Sequence, residues 1–334
     1  MVRKIILAIV ILILAIGGYF AYQTWMRSDA GGDIIVRIPE GASFDEVLDS
    51  LEGAELIHGR AAFKILAVTT GSDGKIKPGS YKFNHGLSNA QLLSALVEGH
   101  STVKSKVTFP EGITVRRIAS IAAREAGCDS AQIVRLANDR AFLKTIGITA
   151  ASAEGYLMPD TYYIFWGEKP VTLLRRMADV FRDFYTDALK KKAEALGLSP
   201  YEVITLASIV EGEARVNDER PVIAGVYLNR LHIGMKLQAD PTIQYILPDG
   251  PRRLLFADTR LDNPYNTYFY KGLPPGPINN PGRASILATL SPATHDYIFF
   301  VAKADGSGRH AFSRTDREHD IAVKQYQANR GKGE

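Results

Sequence analysis

A chain of 334 residues, 46% hydrophobic and 23% charged, has room for two or three folded domains and lacks the composition of a disordered polymer. Its 40 Lys and Arg against 36 Asp and Glu leave a formal charge of +4 with no dense basic cluster, which argues against nucleic acid as a partner. The single Cys128 excludes an internal disulfide and any multi-cysteine metal site; its default role is a buried structural thiol.

The N-terminus sets the expected location. After Arg3-Lys4 comes Ile5 to Tyr22, eighteen residues with no charge. As a helix this run spans about 27 Å, near the hydrocarbon thickness of a bilayer. Tyr19, Tyr22 and Trp25 fall where an interfacial aromatic belt belongs, and Arg3 and Lys4 hold the N-terminus in the cytoplasm. A cleaved signal peptide has a shorter apolar run ending at a small-x-small site. The expectation is therefore an uncleaved single-pass anchor over 5–25, with residues 1–4 cytoplasmic and everything beyond outside. Ser28 to Gly32 reads as a polar linker.

Residues 33–165 carry an internal repeat. Val36-Arg-Ile-Pro39-Glu40-Gly41-Ala-Ser43-Phe44 is echoed by Val107-Thr-Phe-Pro110-Glu111-Gly112-Ile-Thr114-Val115. Each copy predicts a short strand, a Pro-Glu-Gly turn, a Ser or Thr cap and an amphipathic helix. The copies are expected to form two similar units side by side. Between them lie a strand at Tyr81–Phe83 and a helix at 87–97 capped by Ser88. Glu154-Gly-Tyr-Leu-Met-Pro159-Asp160-Thr161-Tyr162 leads into an aromatic strand ending at Phe165.

Residues 166–334 open with a predicted helix over 171–196, ending at Gly197. The next helix, Ser199 to about Ala214, carries the chemistry. Ser199 caps it, Pro200 suits its first turn, and Glu202 completes a capping box. Its body is apolar nearly all round, so it is expected to be buried. Glu202, Thr205, Ser208 and Glu211 form one inclined polar stripe. A buried carboxyl at the end of that stripe has its pKa raised by desolvation, as a general acid requires, and Glu211 is the expected acid. Glu213 points roughly 200° away, so the two glutamates cannot flank one glycosidic bond. Gly212, between them, is expected to loosen the helix end. A second helix follows Asp218 and ends at Gly234. Residues 235–245 read as a strand into a turn, and the Pro/Gly-rich 272–282 as a stiff loop. A helix at 284–290, a hairpin of 297–302 with 310–313, and a terminal helix after Thr315 complete the chain.

Around Glu211, the amides, carboxylates and phenols of Asn229, Gln238, Asp240, Tyr245, Asn263, Asn266 and Tyr268 sit on rigid loops and suit sugar hydroxyls and sugar faces. These residue types equally cap turns. His232, His295, His310 and His319 show no metal-ligand spacing, so no metal or cofactor is expected. There is no Gly-x-Ser-x-Gly elbow and no phosphate-binding glycine loop. The residues alone imply a membrane-anchored extracytoplasmic enzyme acting on polysaccharide.

Ordered motifs extend this. Leu206-Ala-Ser-Ile-Val-Glu211-Gly-Glu213, Asn229-Arg230 with Gly234-Met235-x-Leu237-Gln238-x-Asp240-Pro241-Thr242, Tyr265-Asn266-Thr267-Tyr268, Gly272-Leu-Pro-Pro-Gly-Pro-Ile278 and Gly308-x-His310-x-Phe312 resemble the endolytic murein transglycosylase (YceG-like) family. So does the Glu154–Tyr162 stretch, and the resemblance spans nearly the whole chain. It implies an α+β protein with a transmembrane helix, LysM-like strand-helix modules and a C-terminal α+β catalytic domain. It further implies lytic cleavage of the MurNAc–GlcNAc bond in nascent peptidoglycan, in which the muramic acid C6 hydroxyl attacks C1 and leaves a 1,6-anhydro end.

By that resemblance Glu211 protonates the leaving oxygen and then accepts the C6 hydroxyl proton, while Gln238, Asp240, Asn266 and Tyr268 hold the sugar. One titrating group suffices for such an intramolecular attack, whereas a hydrolase needs two carboxylates. The implied partners are peptidoglycan strands, the inner (cytoplasmic) membrane and, from family and location, peptidoglycan synthases. Two other readings compete: a non-catalytic peptidoglycan-binding scaffold, and a hydrolase pairing Glu211 with Asp240.

Overall fold

A computed structural model describes residues 2–25, 32–84, 86–99, 102–248 and 250–330. It divides into two compact units that interleave in sequence: Met1–Val107 with Ala122–Asp129 and Tyr162–Lys169, and Thr108–Ile121 with Ser130–Thr161 and Pro170–Glu334. Apart from Gly32, the expected linker lies outside the described residues.

The elements of the first part are α1 (Val2–Trp25), β1 (Asp33–Ile38), α2 (Phe44–Gly53), α3 (Arg60–Thr69), β2 (Gly79–Asn84), α4 (Asn89–Glu98), β3 (Lys104–Thr108), α5 (Val115–Ala126), α6 (Ser130–Leu136), α7 (Arg140–Thr145) and β4 (Thr161–Phe165). Strands β1 and β2 are antiparallel, with Val36 opposite Tyr81, and β3 pairs with β4. The alternating inward residues of β1, Val36 and Ile38, meet Val47, Leu48, Leu51, Phe63, Phe83, Leu92 and Leu96 in one core. Ser43 with Glu46 and Ser88 with Gln91 form reciprocal capping boxes that start α2 and α4. The two copies of the repeat fall largely in different units. The first is β1-α2 of this unit, whereas Thr108–Ile121 of the second belongs to the other unit. Helix α3 starts at Gly59 without a side-chain cap, and the sequence reading missed it.

Among the described residues no single helix is long and apolar enough to cross a membrane; the apolar part of α1 runs Ile5–Tyr19. Ile11, Leu12, Ile13 and Leu14 are each more than half exposed.

The second part continues with α8 (Pro170–Phe184), α9 (Asp187–Ala195), α10 (Pro200–Glu213), α11 (Arg220–His232), α12 (Asp240–Ile246), α13 (Arg283–Leu290), β5 (Phe299–Ala302), β6 (His310–Ser313) and α14 (Asp316–Arg330). Helix α10 is its axis: every residue from Val203 to Val210 is buried. Leu206, Ile209 and Val210 pack with Ile223, Ala224 and Tyr227 of α11, and Val203, Ile204 and Ala207 with Phe181, Ile286 and Leu290. Strands β5 and β6 are antiparallel with Ala302 opposite His310, as the hairpin reading expects.

Two expectations fail here. The helix predicted over 171–196 breaks at Tyr185-Thr186. Tyr185 stacks on Phe181 at 5.7 Å and is buried, and Thr186, in extended conformation, precedes a new helix without a side-chain cap. Residues 235–239 form no strand. Gln238 sits in the left-handed region at φ 49°, which no regular strand permits, and Asp240-Pro241 opens α12 instead.

Candidate active site

The end of α10 is assembled from its own polar stripe. The Ser199 hydroxyl accepts from the Glu202 N–H at 3.3 Å, and the Ser199 N–H donates to the Glu202 carboxylate at 2.8 Å. One turn short of the glutamates, the Ser208 hydroxyl accepts from the Ile278 N–H at 3.0 Å, and the Ser208 carbonyl accepts from Asn279 Nδ2 at 2.8 Å. Tyr201 donates to the Pro275 carbonyl at 2.8 Å. The stiff loop 272–282 is thereby pinned along the helix.

Glu211 ends that stripe facing the loop. Its Oε1 lies 3.1 Å from Arg220 Nη2, and its Oε2 accepts from the Gly282 N–H at 3.0 Å. The Glu211 and Arg220 side chains are only 7% and 8% exposed, so this is a buried ion pair. Glu111, from the second Pro-Glu-Gly turn, joins them. Burial and the neighbouring Glu211 charge push its carboxyl up, and Arg220 pulls it down. Gly282 admits Glu111: a Cβ there would lie 2.0 Å from the Glu111 carboxyl carbon.

Glu213 leaves the same turn on the other side and borders an open cleft of about 710 Å³. Tyr227 donates to its carboxylate at 2.8 Å. Burial raises its pKa to about 7 and the Asp240 charge adds to the rise; the Tyr227 hydrogen bond, Arg230 and the Asp240 backbone pull the other way. That value suits proton donation at neutral pH. Gly212 does not loosen the helix, which runs through it to Glu213. It seats Pro241 instead, since a Cβ there would lie 2.6 Å from Pro241 Cβ.

Gln238, Asp240 and Tyr268 line the same cleft as Glu213. Tyr268 donates to Asp240 Oδ1 at 2.5 Å; burial and that carboxylate both push its phenol up. Glu211, the acid expected from the sequence, is not among the residues that line this cleft; its oxygens meet Arg220 and Gly282. Asn266, expected to bind sugar, is fully buried. Its Nδ2 donates to the carbonyls of Thr259 and Leu261, and its Oδ1 accepts from Tyr268 N–H at 2.9 Å, so both ends of the amide are spent on the loop that carries Tyr268. Asn229 is likewise used internally, donating to the His295 and Tyr297 carbonyls. Asn263 caps its own turn at Tyr265, and Tyr245 packs on Tyr265 at 5.0 Å.

The sequence reading missed Glu213, Arg230 and His310 as cleft residues. Arg230 is buried, with Nε donating to the Ile298 carbonyl at 2.6 Å, and its guanidinium lies 5.7 Å from the Phe299 ring. The available signal was the 200° offset between the glutamates: one of them had to leave the stripe.

Away from the cleft, Glu154 accepts from the Val115 N–H at 3.0 Å and from Asn280 Nδ2 at 2.8 Å. Its burial outweighs these bonds and raises its pKa to about 8.

The α10 helix, its pinned loop and the cleft beside them occur in a region that matches a known family model. The YceG-like family model covers residues 36–325, and the chain belongs to that family. It is 30% identical to the endolytic murein transglycosylase of Bacillus subtilis (strain 168), over 94% of this chain and 91% of that one. It is 29% identical to the endolytic murein transglycosylase of Streptococcus pneumoniae (strain ATCC BAA-255 / R6), over 94% of this chain and 63% of that longer one. The crystal structure of a yceG-like protein from Listeria monocytogenes superposes with a TM-score of 0.61 at 29% identity, covering 86% of this chain and 98% of that one.

Proposed function

We propose that this protein is an endolytic lytic transglycosylase that cuts the MurNAc–GlcNAc bond within peptidoglycan strands, with Glu213 as its general acid. One observation carries the assignment of the acid. Of the two glutamates ending α10, Glu213 borders the cleft with a pKa of about 7, whereas Glu211 is tied to Arg220 and Gly282. The activity itself is supported by family membership and by two relatives named endolytic murein transglycosylases.

The reaction needs no water. Glu213 gives its proton to the bridging oxygen while the muramic acid C6 hydroxyl attacks C1. Gln238, Asp240 and Tyr268 offer an amide, a carboxylate and a phenol to the flanking sugar hydroxyls. Strain at Gln238 fits a residue whose place is fixed for a ligand and not for the fold. Glu211 positions the helix end that presents Glu213.

A hydrolase using Glu213 with Asp240 is the second reading, because both carboxyls line the cleft. Mass spectrometry of peptidoglycan treated with the full-length protein and with Glu213→Gln separates them. Anhydro ends from the wild type alone support the lyase and its acid. Reducing ends support the hydrolase. No cleavage of nascent or mature strands by either protein leaves a binding scaffold.

Helix α1, with its exposed apolar surface, is read as an inner-membrane anchor that holds the remainder outside the cytoplasm. The β1-α2-α3-β2 arrangement is read as a LysM-like module, and residues from about 166 onward as the bulk of the catalytic domain. Tethering there suits the ending of nascent strands beside membrane-embedded synthases. Co-purification with a synthase tests that partnership.

A further inference from the structure

We infer that the loop from Arg252 to Lys271 is a lipid-docking surface, which rests an exposed apolar tip on an anionic bilayer. This is a second membrane contact, beyond the anchor read for α1. It rests on that reading only in that an anchored chain has a bilayer within reach.

The tip is apolar and open to water. Phe256 is 74% exposed and Leu255 58% exposed, and Leu261, Phe269 and Tyr270 of the same loop are exposed as well. Large apolar side chains gathered in one exposed segment mark a contact site.

The exposure is built in by the fold. The buried Asp258 carboxylate accepts from both terminal nitrogens of Arg252 at 2.8 Å and from the Leu255 N–H at 2.7 Å. The Thr259 hydroxyl donates to the Phe256 carbonyl at 2.9 Å. Gln244 of α12 closes the base of the tip, its amide donating to the Arg252 carbonyl at 2.6 Å and accepting from the Arg252 N–H at 2.9 Å. The backbone is thereby held while Leu255 and Phe256 stay outside.

The charges select the occupant. Arg253, Arg260 and Lys271 are exposed, and among the described residues none of them has a carboxylate partner. The Arg260 guanidinium lies 4.5 Å from the centre of the Phe256 ring. Of the loop's carboxylates, Asp258 is spent on Arg252, and Asp262 accepts from the Tyr270 hydroxyl at 2.7 Å. Rings and leucines interleaved with Arg and Lys are the make-up of a segment lying in the headgroup region. The apolar groups enter the acyl boundary and the cations meet lipid phosphates. A sugar platform would join its rings to amides and carboxylates instead of leucines.

The same loop leads to the cleft. Asn266 Nδ2 donates to the Thr259 and Leu261 carbonyls, and Tyr268 lines the cleft. Docking the tip therefore holds the Tyr268 side of the cleft at the lipid surface.

The test is fluorescence of the full-length chain reconstituted into vesicles of phosphatidylglycerol and phosphatidylcholine. Cys128 is buried, so an environment-sensitive label can be directed to a cysteine at exposed Ala257, with the unsubstituted chain as the labelling blank. Nitroxide lipids are expected to quench the label at Ala257→Cys about twofold or more beyond the same label at Asp320→Cys on α14. Arg253→Gln is expected to lower the ratio of lipid-contacting to water-exposed label by about fivefold. Phe256→Ser should lower it too, as should added salt or omission of phosphatidylglycerol. Equal quenching at the two positions overturns the inference. So does protection from aqueous iodide at position 257 without lipid quenching, which reports a protein or sugar contact. Vesicle flotation separates the two readings. A chain that floats with an unquenched label at 257 keeps the α1 anchor and loses the docking surface, whereas a chain that does not float loses both.

Discussion

Glu211 and Glu213 leave the last turn of α10 in opposite directions, one into a buried pair with Arg220 and the other to the edge of the cleft. Two carboxyls two residues apart thus carry different burdens. Replacing each by glutamine is expected to separate them. Glu213→Gln leaves the melting temperature near that of the wild type and abolishes cleavage. Glu211→Gln leaves Arg220 buried without its charge partner and costs roughly 3 kcal/mol, seen as a lowered melting temperature. Thermal melts run beside product assays decide the matter. Full stability with no activity in Glu211→Gln would return the acid to that residue.

The pH profile follows from Glu213. Its pKa is raised from the usual 4.5 to about 7, so the proton-donating form prevails below about pH 7. The rate constant kcat is expected to fall as pH rises through about 7. In Glu213→Gln any residual rate should lose that limb.

Stability should carry a second titration, from Glu154. Its folded pKa of about 8 lies above the unfolded 4.5, so the folded state holds the proton longer. Stability from this group is full below about pH 4.5 and is lost as pH rises toward 8. Glu154→Gln keeps an acceptor for Val115 and Asn280 and cannot ionise. Its melting temperature is expected to decline less than that of the wild type between pH 5 and 8. Parallel declines in the two proteins would reject burial of Glu154 as the cause.

Gly282 is required by proximity, not by backbone conformation. Alanine there places a methyl against the Glu111 carboxyl and strains the N–H contact to Glu211. Gly282→Ala is expected to lower both melting temperature and kcat. Pairing it with Glu111→Ala should recover much of the stability, a non-additivity that a double-mutant cycle measures.

Tyr268 and Asn266 test what touches substrate. Tyr268→Phe removes the hydroxyl that meets Asp240 and is expected to raise KM several-fold with an unchanged melting temperature. Asn266→Ala removes the donor and acceptor that shape the loop behind it and should lower the melting temperature first. Equal effects of the two on KM and no effect on melting would place Asn266 in the sugar site after all.

What could be read from the chain was whatever depends on near neighbours. The capping box at Ser199, the buried body of α10 and the hairpin ending at Ser313 follow from local spacing, and they stand. The apolar pattern of 171–196 concealed a break because Tyr185 satisfies helical periodicity while its stacking on Phe181 decides where the chain turns. The surroundings of the two glutamates depend on partners far away in sequence: Arg220 and Gly282 for one, Tyr227 and Asp240 for the other. Asn266 looked like a sugar ligand because amides serve loops and ligands with the same atoms. The contact of His310 with Glu219 was not legible, since Glu219 stands 91 positions before it.

One wall of the cleft comes from the hairpin of β5 and β6, and Tyr326 of α14 completes it. A chain made N-terminus first therefore carries Glu213 about a hundred residues before it carries Tyr326, and the cleft beside that carboxyl is complete only once the last helix has been made and docked.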